Sequence, residues 1–132
     1  MHTLQVSTNS RDQLVDITDR IRGIVRDQGF SDGALVVYVP HTTAGIAINE
    51  GADPSVAQDL QSDLQRLVPW DQEYYRHREG NSSSHTRSAL TGSSELIIVE
   101  DGDLVLGTWQ SVFFCEFDGP RSRRVHLKFL AA

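Results

Sequence analysis

The sequence predicts an α+β fold, in which mainly antiparallel, sandwich-like β-sheets carry about two helices packed alongside. Short β-branched segments recur through the chain, whereas only two stretches have apolar residues at helical spacing. The later segments are joined by turns too short for a parallel crossover, so their strands must be antiparallel. At 132 residues the chain is interpreted as a single domain, residues 1–132.

Seven segments have the composition or the alternation of β-strands. They are residues 3–7, 34–39, 45–49, 95–99, 104–107, 109–117 and 124–130. The run 34–39 is continuously apolar, as expected for a strand buried on both faces. An Asp-Gly pair at 101–102 lies between two later segments and predicts a hairpin. Cys115 falls in the apolar run FFCEF and is interpreted as a core residue.

Two segments have the spacing of amphipathic helices. Residues 18–28 form the first, which Gly29 ends. Residues 54–67 form the second, with Asp53 as the N-cap and an apolar stripe at spacings of three and four. Residues 71–84 are then predicted to be a long, polar, ordered loop, a kind of segment that is often functional.

Composition limits the classes of partner. The net charge of -6, with a single lysine, argues against nucleic-acid binding, which depends on neutralising phosphates. No secretory signal and no apolar run of about 20 residues is present, so no membrane partner is expected. One cysteine and no disulfide framework fit a cytoplasmic location. Arginines at 121, 123 and 124 suit a small anion, although they could equally be solvated charges.

Three histidines lie in polar, glycine-rich surroundings that a packed core does not explain. His77 and His85 flank a Gly/Asn/Ser segment, and His41 follows the apolar run 34–39. Three protein ligands and one open position are typical of catalytic zinc, so these rings are candidate ligands of a divalent metal, zinc or magnesium. Glu50 and Glu79 are candidate bases or orienting groups. The alternative is that the histidines are hydrogen-bonded loop residues.

Two further patterns indicate a ligand. Thr42, Thr43 and the serines around His85 are small hydroxyls that, with backbone N–H groups and arginines, could form an anion cradle. The hydroxyls could instead bond their own backbone. In GTWQ, Trp109 offers a flat face and Gln110 an amide, although a tryptophan between strands is usually part of the core.

Three motifs in order resemble those of the YjbQ-like family: HTTAGIAINEGADP, H-x-EGN-x-x-x-H-x-x-S-x-L-x-G and GxLxLGTWQxVFFCEFDGPRxRR. The resemblance runs from about residue 3 to residue 129. It implies an α+β trimer with a weak, secondary thiamine-phosphate synthase activity. That reaction joins a pyrimidine pyrophosphate to a thiazole phosphate and expels pyrophosphate. The physiological reaction is left open.

The residue patterns and the resemblance together predict one site. The predicted metal ligands are His41, His77 and His85, and the predicted catalytic residues are Glu50, Glu79 and His85. The predicted substrate-binding residues are Thr42, Thr43, Asn49, Asn81, Ser84, Arg87, Trp109, Gln110 and Arg121.

The leading hypothesis is a cytoplasmic homotrimeric enzyme that binds a small phosphorylated or heteroaromatic molecule. A second hypothesis is a non-enzymatic trimeric module that binds a small ligand or a metal. A third is a scaffold trimer in which the histidines stabilise contacts between subunits.

Overall fold

The computed structural model describes all 132 residues, Met1 to Ala132. Eight strands and three helices follow one another along the chain. Their order is β1 (His2–Ser7), β2 (Gln13–Asp16), α1 (Thr18–Asp27), β3 (Gly33–Tyr38), β4 (Ala44–Glu50), α2 (Pro54–Leu67), α3 (Ser82–Thr91), β5 (Ser94–Glu100), β6 (Asp103–Leu104), β7 (Gln110–Glu116) and β8 (Ser122–Ala131).

The strands form two sheets in which every pairing is antiparallel. The larger sheet has the order β1-β8-β3-β5-β6, and the smaller has the order β2-β7-β4. The predicted α+β class with mainly antiparallel sheets is therefore confirmed. None of the three helices is both long enough and apolar enough to cross a bilayer.

One apolar cluster joins both sheets and α1. It contains 17 buried residues, among them Leu35 of β3, Ile46 of β4, Phe114 of β7 and Ile21 of α1. Alternate residues of β7 point to the other face of the small sheet, where Cys115 is buried near α2. The small sheet therefore has the main core on one face and α2 on the other, and Cys115 is a core residue as predicted.

The first two predicted helices are present with nearly the predicted bounds. The Asp53 side chain caps α2 by accepting the Ser55 backbone N–H at 2.9 Å. Although α2 has an apolar stripe, none of its residues is fully buried, and Leu67 is 75 % exposed. This helix covers the small sheet only in part.

The structure contains two elements that the sequence did not predict, helix α3 and the short strand β2. The loop predicted for residues 71–84 ends at Asn81, and α3 begins at Ser82. The strand predicted for residues 104–107 is reduced to the two residues of β6. Serine has no strong helix preference, so α3 is stabilised by tertiary contacts that the local sequence does not reveal.

Those contacts fix α3 against the start of β4 and the residue that follows β7. Ser84 donates from Oγ to the Phe117 carbonyl at 2.6 Å, and Ser88 donates to the Ala44 carbonyl at 2.6 Å. At Gly45 a Cβ would lie 2.7 Å from the Gly92 carbonyl oxygen, so only glycine permits this approach. The first turn of α3 is consequently held beside the end of β7, and its later part beside the start of β4.

Candidate functional site

A cavity of about 290 Å³ opens where α3 begins. Its walls come from the residues just before β4, the segment leading into α3, and the corner between β7 and β8. None of the nine lining residues is apolar, so the cavity suits a polar or charged ligand. The lining residues are Thr42, Thr43, His77, Glu79, Asn81, His85, Asp118, Arg121 and Arg123.

Two histidines meet at the mouth of this cavity. His77 is exposed in the segment before α3, and His85 is half-buried in the first turn of α3. Their ring centroids are 5.2 Å apart and the ring planes are nearly perpendicular, at 85°. Glu79 lines the same wall. The cavity thus contains two imidazoles and a carboxylate, which are the usual groups for acid–base chemistry.

Asp118 bonds two other side chains that line the cavity. Its Oδ2 accepts from Asn81 Nδ2 at 2.8 Å and from Arg121 Nη2 at 2.9 Å. Arg121 Nε also donates to the Asp118 carbonyl at 2.8 Å. The hydrogen bond to the Asp118 carboxylate, and its charge, raise the pKa of the Arg121 guanidinium. Arg121 is therefore a fixed cation at the cavity.

Arg123 reaches the cavity from a buried ion pair. Glu116 is fully buried, and it accepts from Arg123 Nε at 2.8 Å and from the Thr8 hydroxyl at 2.8 Å. It also accepts the backbone N–H of Asp118 at 3.1 Å. Arg123 Nη2 donates to Thr43 Oγ1 at 2.8 Å. Because a buried charge needs several partners, this network fixes the β7–β8 corner and the threonine before β4 in one arrangement.

His41 lies next to the lining threonines but not in the cavity wall. Its Nε2 accepts the backbone N–H of Arg124 at 3.0 Å. Burial, followed by the positive charge of Arg123, lowers the pKa of the His41 imidazole. The ring is therefore neutral at pH 7 and carries its proton on Nδ1.

The predicted three-histidine metal site is not assembled within the chain. No group of three or more His, Cys, Asp or Glu side chains is arranged to hold a metal ion. The physical reason is the position of His41, whose Nε2 is engaged by the Arg124 backbone while His77 and His85 line the cavity. Within the chain, the cavity therefore holds only two of the three predicted histidine ligands.

Seven predicted site residues do line this cavity: Thr42, Thr43, His77, Glu79, Asn81, His85 and Arg121. Asp118 and Arg123 also line the cavity, although neither was a predicted site residue. The arginine cluster of the DGPRSRR segment indicated an anion, but nothing in the sequence singled out Asp118.

Asn49 and Glu50 lie at the far end of β4. Seven residues of extended strand span roughly 23 Å, which separates them from Thr43 at the other end. Glu50 lines a second cavity of about 300 Å³ that also contains Asp16 and Asp53. Asn49 lines an apolar cavity of about 210 Å³. Glu50 is therefore not brought together with the histidine pair within the chain.

Four other predicted contacts also lie outside the cavity wall. Ser84 is buried, with its hydroxyl bonded to a carbonyl. Trp109 is 63 % exposed, so it is neither a core residue nor a wall of this cavity. Gln110 Oε1 accepts the Gly107 backbone N–H at 2.8 Å.

Arg87, the fourth, is only 1 % exposed and has a structural role. Its Nε and Nη2 donate to the Val68 carbonyl at 3.1 and 2.8 Å, and its Nη1 donates to Asp12 at 2.7 Å. Nearby, the Arg11 guanidinium stacks 4.1 Å from the Trp70 ring centroid. These contacts tie down the start of the segment that carries His77 and Glu79.

Sequence comparison matches residues 2–132 to the family described as UPF0047 protein YjbQ-like. The chain is 46% identical over 130 residues to the UPF0047 protein YugU of Bacillus subtilis, covering 98% of each chain. It is 50% identical over 128 residues to a UPF0047 protein of Methanocaldococcus jannaschii, covering 96% of this chain and 91% of the relative.

Solved structures agree in fold. A YjbQ/UPF0047 family protein from Clostridium acetobutylicum superposes with a TM-score of 0.95 at 47% identity, covering 98% of this chain and 100% of the other. A YbjQ-like protein from Sulfolobus solfataricus superposes with a TM-score of 0.94 at 30% identity, covering 99% and 96%.

Proposed function

Because the chain belongs to the YjbQ-like UPF0047 family, we propose that its polar cavity binds a small phosphorylated ligand and transfers protons to or from it. The observation that carries the proposal is the contact between the rings of His77 and His85, 5.2 Å apart, in a cavity without apolar walls.

The shape and polarity of the cavity support a small, charged ligand. Binding sites for drug-sized molecules are mostly apolar and start at about 300 Å³. This cavity has about 290 Å³ and only polar walls, so it lacks the surface that would hold a large apolar molecule. A phosphate group with a small attached part fits these properties.

Anion binding is supported by the first turn of α3. The first backbone N–H groups of a helix have no partner within the helix, and its dipole favours negative charge there. The Asn81 side chain makes no capping hydrogen bond at this end, which leaves the backbone N–H groups of Ser82 and Ser83 uncapped, while the Ser84 N–H bonds the Asn81 carbonyl at 3.0 Å. Arg121 adds a guanidinium at the same cavity, which the Asp118 carboxylate holds in place and partly neutralises.

Proton transfer is supported by the histidine pair. A neutral imidazole has one donor and one acceptor nitrogen, and a protonated one has two donors. Two such rings in contact can therefore present an acid and a base to the same ligand. Glu79 is the neighbouring carboxylate that would orient a ring or accept the proton.

The resemblance to proteins with weak thiamine-phosphate synthase activity supplies a reaction to assay. Its departing pyrophosphate would meet Arg121 and the first turn of α3, and a histidine could protonate it. Binding of the heteroaromatic part of these substrates has no support in the cavity, because Trp109 does not line it.

Formation of thiamine phosphate by the wild-type protein and by His85→Ala tests the proposal. Loss of a positioned acid or base should lower kcat about 10²–10⁴-fold. Thr86→Ala is the matched control, because Thr86 is exposed on α3 and bonds only the Ser82 carbonyl. Equal turnover in wild type and His85→Ala would overturn the acid–base role. Ligand binding without turnover in any variant would instead favour the non-enzymatic module.

A further inference from the structure

The buried guanidinium of Arg123 has one nitrogen without a partner. Arg123 points to the buried side of β8, is only 5 % exposed and lines the polar cavity. Its Nε donates to Glu116 Oε1 at 2.8 Å, and its Nη2 donates to Glu116 Oε2 and to Thr43 Oγ1. The remaining nitrogen, Nη1, carries two N–H donors that no group of the protein accepts.

This free nitrogen is available from the cavity. A guanidinium is planar, and Glu116 occupies the edge formed by Nε and Nη2, so Nη1 points away from the carboxylate. The buried side-chain atoms that lack a partner are Asn81 Oδ1 and Ser83 Oγ, so Nη1 is not one of them and keeps accessible surface. Because so little of Arg123 is exposed, that surface belongs to the part of the residue that lines the cavity.

Two further side chains offer free donors to the same cavity. Nε and Nη2 of Arg121 both bond Asp118, which leaves Arg121 Nη1 free as well. Thr42 contributes an exposed hydroxyl. With Arg123, three lining side chains therefore present N–H or O–H groups to an acceptor.

We propose that Arg123 binds the phosphate group of a phosphate monoester through Nη1, together with Arg121 and Thr42. This inference rests on the proposed function and names a binding residue and the ligand class of the same cavity. A monoester has three terminal oxygens, one for each of the three donor side chains, whereas a phosphodiester has two and carries less charge. Hydrogen bonds from a guanidinium to a phosphate are charge-assisted and stronger than neutral ones.

Calorimetric titration of the full-length protein at pH 7, in about 0.15 M salt, with methyl phosphate and with dimethyl phosphate tests the ligand class. Methyl phosphate should bind at least about tenfold more tightly, because the diester lacks one charged oxygen for these donors. Equal affinities for the two compounds would overturn the monoester assignment. If methyl phosphate does not bind at all, the proposed function fails together with this inference.

Arg123→Lys tests the role of Arg123, since lysine keeps the charge beside Glu116 but has no Nη1. Its affinity for methyl phosphate should fall roughly ten- to hundredfold. Arg124→Gln is the matched control, because the side chain of Arg124 is exposed on the other face of β8 and does not line the cavity. Its affinity should stay within about twofold of wild type. Unchanged affinity in Arg123→Lys, or an equal loss in Arg124→Gln, would overturn the role of Arg123 and leave the phosphate site itself standing.

A measurement on the wild-type protein decides the question if Arg123→Lys does not fold. The Arg123 Nε–H is held in its bond to Glu116, and its ¹H–¹⁵N signal should shift as methyl phosphate saturates the protein. The Arg87 Nε–H, which bonds the Val68 carbonyl outside the cavity, should not shift. Saturation without a shift at Arg123, or with equal shifts at both arginines, would overturn the contact.

Discussion

His77 and His85 meet edge to face, with ring centroids 5.2 Å apart, although eight positions separate them along the chain. The chain turn at Gly80 and Asn81 makes this contact, because it directs the chain from the exposed segment into α3. Gly80 has a φ of 72°, a conformation that glycine adopts without strain. The arrangement of the site therefore depends on how α3 and the preceding segment are held.

Replacing Arg87 by methionine should destabilise the protein by about 3 kcal/mol, because the Val68 carbonyl and the Asp12 carboxylate both lose a buried partner. Urea unfolding measures this change. Arg87→Lys should recover only part of the loss, since lysine lacks the planar fork that bonds both groups. Wild-type stability in Arg87→Met would contradict the structural role.

Glu116→Gln should cost about 3–5 kcal/mol of unfolding free energy, because it leaves the Arg123 guanidinium buried without its counter-charge. The double variant Glu116→Gln/Arg123→Gln should be more stable than Glu116→Gln alone, since no unpaired charge remains. Chemical denaturation of the two variants provides the comparison. A double variant less stable than the single one would show that the charge is not the cause.

Stability should fall as the pH drops below 6.5, in part through His41. Burial lowers the pKa of this ring from its ordinary value of 6.5. Between the lowered value and 6.5 the unfolded chain binds the proton that the folded chain excludes, so acid favours unfolding in that window. Above pH 6.5 the ring is neutral in both the folded and the unfolded chain, so the contribution of His41 to stability no longer changes with pH.

His41→Gln isolates the effect, since glutamine can still accept the Arg124 backbone N–H but does not titrate. Unfolding free energies of both proteins between about pH 5 and pH 8 should show a shallower acid loss in the variant. Parallel curves for the two proteins would refute the assignment to His41.

Gly45→Ala should destabilise the protein by about 2 kcal/mol, because the new Cβ would lie 2.7 Å from the Gly92 carbonyl and force α3 away from β4. Gly23→Ala is the matched control within α1, where the nearest atom would be an Arg26 side-chain nitrogen at 3.7 Å. It should raise stability by up to about 1 kcal/mol, as alanine favours helix. Thermal unfolding of both variants distinguishes local strain from a general intolerance of glycine replacement.

The sequence predicts most of the fold because local signals and tertiary packing agree there. The N-cap Asp53 and the apolar stripe that follows it specify α2 without reference to the rest of the chain. In contrast, α3 begins with three serines, and hydroxyl bonds from Ser84 and Ser88 to distant carbonyls hold it in place. No local pattern encodes those partners.

The site was predictable only where local composition reveals it. Polar residues without a core role, such as His77 and Asn81, were found by composition, and the structure brings them to one cavity. Arg87 and Glu50 were also grouped with them. The local sequence does not show that Arg87 faces a buried carbonyl and not a ligand. It also does not show that Glu50 lies at the far end of its strand from the histidines. Both depend on the assembled sheet.

Histidine ring signals in ¹H–¹⁵N NMR spectra, followed during a phosphate titration at constant pH, test the central claim most directly. The ring nitrogens of His77 and His85 should shift saturably, with one common affinity. His126 should not shift, because it lies on the outer face of β8 beside Thr3. Saturable shifts at His126 with none at His77 and His85 would contradict the account, as would no shift at any ring.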